Sequence, residues 1–410
     1  MIKGRGLKPE LLAPAGDLEK LQFACLYGAD AVYIGGKEFS LRAGAGNFSL
    51  TEIKAAVSLA HSLGKKVYLA VNIFANNRDI VHLPDFLRSA AVLGVDAFLI
   101  SDPGVFRLAR QYAPQVPIHI STQANNTNWQ SALFWREQGA KRIVLARELS
   151  LAEAAEIKTR SGLETEIFIH GAICISYSGR CYLSSYFLSR DANRGDCAQP
   201  CRWQYRLEEA ERPNTWLPLE EDEKGCYILN SKDLSLLPIL PRVLGSKATA
   251  WKIEGRNKSA YYVANVTRIY RQALDAAWNG NWQPRQEWQE ELAKVSHREY
   301  TTSFALADPT DEDYRYEDAS YLRGWDFAAI AKKFRGKELL LEQRNHLEVG
   351  DEAEIILADG RNLPLKLDYL RDEEGRHLKT APHPMQKVWV PCRETFPLPA
   401  IVRRLVKGGG

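Results

Sequence analysis

The chain has 410 residues, 45% hydrophobic and 26% charged, enough material for two or three cored domains. Its net charge of +3 is too small to name a partner, so a nucleic-acid surface has to be sought in clustered charge. There is no run of eighteen apolar residues and no signal-peptide h-region near Met1, so a cytoplasmic protein with no membrane partner is expected, in a compartment where stable disulfides are rare.

Glu10-Leu-Leu-Ala-Pro reads as a buried strand, and Asp17 caps a helix from Leu18 to Tyr27. A second strand begins at Ala31. A glycine-bearing loop follows, and Ser49 or Thr51 caps a helix to about Leu63. The beat repeats: strand Lys66 to Val71, a helix around Leu83–Leu93, strand Ala97 to Ser101, helix Val105–Tyr112, and strand Ile118 to Thr122. A helix over Asn128–Gln138, strand Arg142 to Ala146, a Ser150-capped helix and strand Glu166 to Ile169 come next. After a long insertion, Leu234–Leu244 reads as helix, Ala250 to Gly255 as the eighth strand, and Ala260 to about Trp278 as the closing helix.

Eight short buried strands alternating with helices predict an α/β fold, a (β/α)8 TIM-like barrel over 1–285, with a cysteine-rich insertion at 166–233 after strand seven. The alternative is an open doubly wound sheet, but no G-x-G-x-x-G opens the first helix. Residues 286–326 read as a linker or extension that starts with a helix. From 327 to 410, strands at Phe327–Ala331, Glu338–Glu342, Asp351–Leu357, Leu363–Leu370 and Lys387–Val390 predict a small C-terminal β-barrel domain with a disordered glycine tail. Lys332, Lys333, Arg335 and Lys337 form a basic run there; a small barrel appended to an enzyme can grip RNA backbone with such a run, and a solvated face is its plainer reading.

Four of the seven cysteines, Cys174, Cys181, Cys197 and Cys201, fall in the insertion. Structural zinc, a disulfide pair and an iron–sulfur cluster are the three chemistries such a group can serve. The absence of a C-x2-C pair counts against zinc, and the compartment against disulfides. Cys226 is a fifth candidate, whereas Cys25 and Cys392 sit among apolar neighbours and read as inert. A cysteine-protease reading has one pair to offer, Cys174 with His170.

Reactive groups of a β/α barrel project from the C-terminal strand ends. Those ends hold Asn72, Ser101-Asp102, Gln123, Arg147, Glu148, His170, Lys252, Glu254 and Arg256, with Arg42 in the loop after strand two. Glu148, His170 and Glu254 are candidate acid–base groups. Arg42, Arg147, Lys252 and Arg256 suit carboxylates or phosphates, and Asn72 and Gln123 suit neutral polar groups. Tyr177, Tyr182, Trp203 and Tyr205 are aromatic enough to stack on a base, or to pack around a cluster.

ELLAPAGDLEKLQFACLYGADAVYIGG, HGAICISYSGRCYLSSY, CAQPCRW, NSKDL and WKIEGR together resemble the peptidase U32 family, and within it the bacterial tRNA-hydroxylating branch, over nearly the whole chain. The resemblance implies an oxygen-independent RNA hydroxylase rather than a peptidase. It further implies 5-hydroxyuridine formed at the tRNA anticodon wobble position, a [4Fe-4S] cluster held by Cys174, Cys181, Cys197 and Cys201, and dependence on prephenate. The fourth ligand, Cys201 against Cys226, rests on the C-x3-C spacing of that branch. A U32-type peptidase, or a non-catalytic RNA-binding protein with a structural metal, are the alternatives.

Overall fold

The computed structural model describes residues 7–41, 46–173, 181–190, 196–200, 203, 232–307 and 322–406, and the backbone of 221–222 and 225–226. Eight parallel strands form the barrel: β1 (Glu10–Pro14), β2 (Ala31–Gly35), β3 (Lys66–Val71), β4 (Ala97–Ile100), β5 (Ile118–Ile120), β6 (Arg142–Val144), β7 (Glu164–Ala172) and, after β8 (Asp233–Ser235), β9 (Ala250–Ile253). β9 pairs with both β1 and β7, so the ladder closes. The barrel helices are α1 (Leu18–Leu26), α2 (Leu50–Ser62), α3 (Asn77–Val92), α4 (Pro103–Tyr112), α5 (Trp129–Glu137) and α6 (Leu151–Ser161). After α7 (Leu183–Leu188) come α8 (Leu240–Gly245) and α9 (Ala260–Trp278). Most strands read as unbroken apolar runs because both their faces are buried, one in the barrel and one under the helices.

The helix starts follow from their first residues. Asp17, Asp102, Asn128 and Ser259 each accept a backbone N–H from the first turn. Ser49 with Glu52 and Ser150 with Glu153 form full capping boxes. α3 begins at Asn77, earlier than its apolar spacing suggests, and carries Pro84.

The stretch expected as helix from Leu234 is a correction. Asp233–Ser235 is a strand antiparallel to the end of β7, and helix resumes only at Leu240 after a 3-10 turn. Residues beyond 286 do more than link. After α10 (Gln286–Ala293), Tyr300–Thr301 pairs in parallel with β8, and Arg298 holds the buried Asp233 at 2.8 Å.

The C-terminal domain is built on an eight-stranded antiparallel sheet: β10 (Trp325–Arg335), β11 (Glu338–Gln343), β12 (Glu352–Ile356), β13 (Asn362–Lys366), β14 (Lys387–Pro391) and β15 (Ala400–Leu405), with short strands Leu370–Arg371 and His377–Leu378 at one edge, and a small second ladder pairs Leu347–Glu348 with Thr380–Ala381. The sequence pattern passed over β15, although it is central and pairs with β10 and β12. Apolar side chains of both edge regions, Leu365 and Leu378, join a single core. Among the described residues the two edge strands share no ladder, so one core, not a closed hydrogen-bond ring, holds this domain together.

The two domains meet across α1, α9 and α10. Tyr27 donates to the Ile356 carbonyl at 2.6 Å. Arg268 and Arg403 are fully buried and converge on Glu291 at 2.6 and 2.8 Å, and Arg403 also binds Glu354. Burial pushes the Glu291 carboxyl up, but hydrogen bonds and charge from Arg403, Lys294 and Arg268 outweigh it and bring it to about 2.

Candidate active site

The barrel interior is layered by charge. Near the strand starts, Arg142 reaches Glu10 at 2.7 Å and Glu166 at 3.3 Å, and Tyr68 donates to Glu10 at 2.8 Å. The His119 ring packs on Tyr68 at 4.8 Å; burial, then the surrounding cations, hold it well below the usual imidazole range. The Arg142–Glu10, Tyr68–Glu10 and Tyr68–His119 contacts join strands that are not ladder neighbours, so these side chains point inward.

Lys252 belongs to this layer. It was expected at the rim, yet β9 places its ammonium below, 2.8 Å from the fully buried Glu166. Two rings separate this layer from the mouth. Lys252 lies 4.4 Å from the centre of the Tyr33 ring and 5.5 Å from that of Phe168.

Above the rings, the Tyr33 hydroxyl sits 3.2 Å from Glu254 Oε2, and Arg147 approaches the same oxygen at 3.7 Å. Arg147 also stacks on Phe168 at 3.7 Å. Asn72 donates to Gln123 at 3.0 Å and accepts from the Leu41 N–H at 3.2 Å, and Ser121 bonds Gln123. Arg256 grips Ser40 at 3.3 Å and the Leu41 carbonyl, pinning the loop that leads to Arg42. A Cβ at Gly35 would overlap the Arg256 guanidinium, so that strand end requires glycine. Glu148 is half-buried in the loop after β6; burial raises its carboxyl above the ordinary range. A slot between α6 and β7, lined by Leu145, Leu149, Ile167, Phe168 and Leu236, opens beside Arg147.

Sequence reading finds Asn72, Gln123, Arg147, Glu148, Glu254 and Arg256 at the mouth. It misses Tyr33, Phe168 and Glu166. The signal for Glu166 was available: a charge inside an apolar strand, with a lysine in the neighbouring strand. Arg42, Tyr177 and Tyr205 lie outside the described residues.

His170 is turned away from this site. Alternation along β7 would send Glu166, Phe168 and His170 to the same side. A register shift against β9 between Lys252 and Ile253 pairs His170 with Ile253, facing the helices. Its ring packs among Tyr262, Tyr270 and Tyr300, with Nδ1 3.3 Å from the Tyr270 hydroxyl and Nε2 buried without a hydrogen-bond partner among the described residues. Burial brings its pKa down to about 3. The displaced Ile169 carbonyl accepts from Tyr270 at 2.9 Å and from the Leu236 N–H at 2.9 Å. Gly171 has φ +111°, and a Cβ there would meet the Glu254 carbonyl at 2.5 Å.

Beyond β7, Cys181 and Cys197 are free thiols, half-buried and exposed. α7 starts just after Cys181, and its Ser184 binds both sides of Cys197, accepting from the Ala198 N–H at 3.0 Å and donating to the Asp196 carbonyl at 3.4 Å. Arg190 adds an ion pair to Asp196 at 2.6 Å. The Gln199 N–H donates to the Cys197 sulfur at 3.3 Å. Two unpaired thiols on segments tied together fit a soft metal or iron–sulfur centre and do not form the disulfide alternative. Cys174 and Cys201 lie outside the described residues, as does the Cys226 side chain. Among the described residues no three metal-ligating side chains converge. Tyr182 is exposed, and Trp203 packs 6.4 Å from Phe187. No helix among the described residues is long and apolar enough to cross a membrane.

Fold and site together define a two-domain β/α-barrel protein with a mouth lined by charges of both signs and a thiol-bearing segment that follows β7 in the chain. The model of peptidase family U32 matches residues 16–315 and that of the U32 C-terminal domain matches 323–403, so the chain belongs to peptidase family U32. It is 40% identical to tRNA hydroxylation protein P1 of Bacillus subtilis, over 93% of this chain and 91% of that one. It is 36% identical to tRNA hydroxylation protein P of Escherichia coli, over 95% of each. It is 33% identical to the 23S rRNA 5-hydroxycytidine C2501 synthase of E. coli, over 93% of this chain and 56% of that protein.

Proposed function

We propose that this protein is an RNA-hydroxylating enzyme that acts on tRNA, forming 5-hydroxyuridine at the anticodon wobble position. The observation that carries the reading is its similarity, over nine tenths of both chains, to proteins named for tRNA hydroxylation. The relative named for 5-hydroxycytidine supports pyrimidine C5 as the reacting atom.

Replacing C5–H by C5–OH is a two-electron oxidation, which no ordinary side chain can accept. A redox group is therefore part of the proposal. Cys174, Cys181, Cys197 and Cys201 would hold a [4Fe-4S] cluster, which when bound would supply one-electron transfer, while the hydroxyl oxygen and the net two-electron acceptor have to come from a co-substrate. Arg147 and Arg256 give the mouth fixed positive charge, suited to the carboxylates of prephenate or to a phosphate of the RNA. Arg42 and Tyr177 are assigned to substrate with them. Asn72 and Gln123 offer amides to the edge of a base. Tyr33 and Arg147 orient Glu254. Glu148, its proton affinity raised by burial, is assigned the proton transfer at the reacting ring.

A peptidase built on Cys174 and His170 lacks support in the geometry. The His170 ring is neutral, buried under α9 and turned from the mouth.

Mass spectrometry of tRNA nucleosides tests the reading in a deletion strain complemented with variants. Wild type is expected to restore the hydroxyuridine-derived bases. Cys181→Ala or Cys197→Ala is expected to abolish them, and Glu148→Gln to reduce their formation by ~100-fold or more. A deletion strain with unchanged hydroxyuridine would overturn the function; full restoration by the cysteine variants would overturn the cluster.

A further inference from the structure

The outer face of the C-terminal sheet carries a row of cations and rings that the barrel chemistry leaves unused. Ladder register aligns Lys333 of β10 with Leu340 of β11, Leu340 with Trp389 of β14, Trp389 with Arg371, and Arg371 with His377. Residues in register across a sheet share a face, so five strands contribute to one line. The core side chains Leu339, Leu341, Val388 and Val390 occupy the opposite face.

Three details make this more than scattered surface charge. A register shift between Ala331 and Lys333 bulges β10, so the consecutive Lys332 and Lys333 are both exposed. The Trp389 ring is buried beneath cations, with the Arg335 guanidinium 4.0 Å and the Lys333 ammonium 5.5 Å from its centre. Arg371 lies in the same way 4.8 Å from the centre of the Tyr369 ring. A guanidinium held against a ring has already lost much of its side-chain freedom, while the Arg335 side chain remains 52% exposed.

Six cations, Lys332, Lys333, Arg335, Lys337, Arg371 and Lys387, face three carboxylates, Glu338, Glu342 and Glu373. Lys333 and Lys337 are exposed and have no carboxylate partner among the described residues.

We propose that this face binds the phosphate backbone of the RNA substrate, at a part of the RNA other than the target base. The proposal rests on the RNA-hydroxylating reading and adds a second contact to it. An irregular polyanion suits such a row, because each phosphate can take whichever cation lies nearest. The buried Arg268–Arg403–Glu291 junction fixes this sheet to the barrel, so a grip here also limits where the rest of the RNA can lie.

The test is tRNA binding by the full-length protein, read by fluorescence anisotropy across a salt series. Lys333→Glu combined with Lys337→Glu removes two exposed, unpaired cations and leaves the core untouched. The double variant is expected to bind tRNA about tenfold or more weakly, with a salt slope lower by about 0.7–0.9 per lost phosphate contact. Its nucleoside modification should recover when tRNA is saturating. Wild-type affinity with an unchanged slope would overturn the face and leave the RNA reading standing. Failure of the wild-type protein to bind tRNA at all would overturn both. If the double substitution left tRNA binding intact but abolished attachment to phosphatidylglycerol vesicles, the occupant would be an anionic membrane surface, and the proposal would fall.

Discussion

His170 holds no proton through the pH range in which an ordinary histidine titrates. Its ring is fully buried, has one weak partner in Tyr270, and titrates near pH 3. The unfolded chain binds a proton near pH 6.5, while the folded one refuses it until about pH 3. Stability from this residue is therefore complete above the unfolded value and drains away as pH falls through that window. His170→Phe keeps the ring and loses only the Tyr270 contact. It should flatten the pH dependence of unfolding between pH 4 and 6, by up to ~1.4 kcal/mol per pH unit, in urea titrations at a series of pH values. Activity at neutral pH should survive, since the ring faces α9 and not the mouth. Tyr33 is the opposite case. The sequence shows it as one apolar residue in a strand, yet its ring takes a lysine below and its hydroxyl takes a carboxylate above.

At the scale of elements, the reversal of His170 is a property of two strands. The bulge at Ile169 survives because its carbonyl is satisfied twice, by Tyr270 and by Leu236. Tyr270→Phe should lower stability by about 1–2 kcal/mol and speed amide exchange at His170 and Gly171, measured by exchange mass spectrometry. A bulge is a relation between strands, which is why alternation within β7 could not reveal it. The same reason explains the other departures from the sequence reading. Leu234 continues the apolar spacing of α8, but it is drawn into a strand by the free edge at the end of β7. Ala400–Leu405 carries two arginines and follows prolines, so it looks like a tail; Arg403 and Arg404 are buried because Glu291, Glu354 and Asp351 await them. By contrast, the barrel's strands and capped helices were legible because each rests on local chemistry, an apolar run or a Ser, Asp or Asn before a helix. Of the site, the polar strand ends were legible; the depth of Lys252 and the facing of His170 were not.

Charge locks the seam between the two domains. Arg403 has no exposure, and it neutralises two carboxylates contributed by different domains. Arg403→Met would leave Glu291 and Glu354 short of a partner. It should cost about 3–5 kcal/mol in urea unfolding. It should also return the Glu291 carboxyl toward its ordinary value. In the intact protein, its depressed pKa gives stability that is present above about pH 4.5 and lost as pH falls toward 2. The variant should therefore show a shallower acid dependence of stability from this group.

The packed charged layer beneath Tyr33 and Phe168 has a consequence for traffic. A barrel stoppered by Glu166, Lys252, Arg142 and Glu10 is a blind well and not a tunnel. Whatever goes in must come out by the same opening. On the proposed function, a modified nucleotide has to withdraw through the mouth it entered before another can follow.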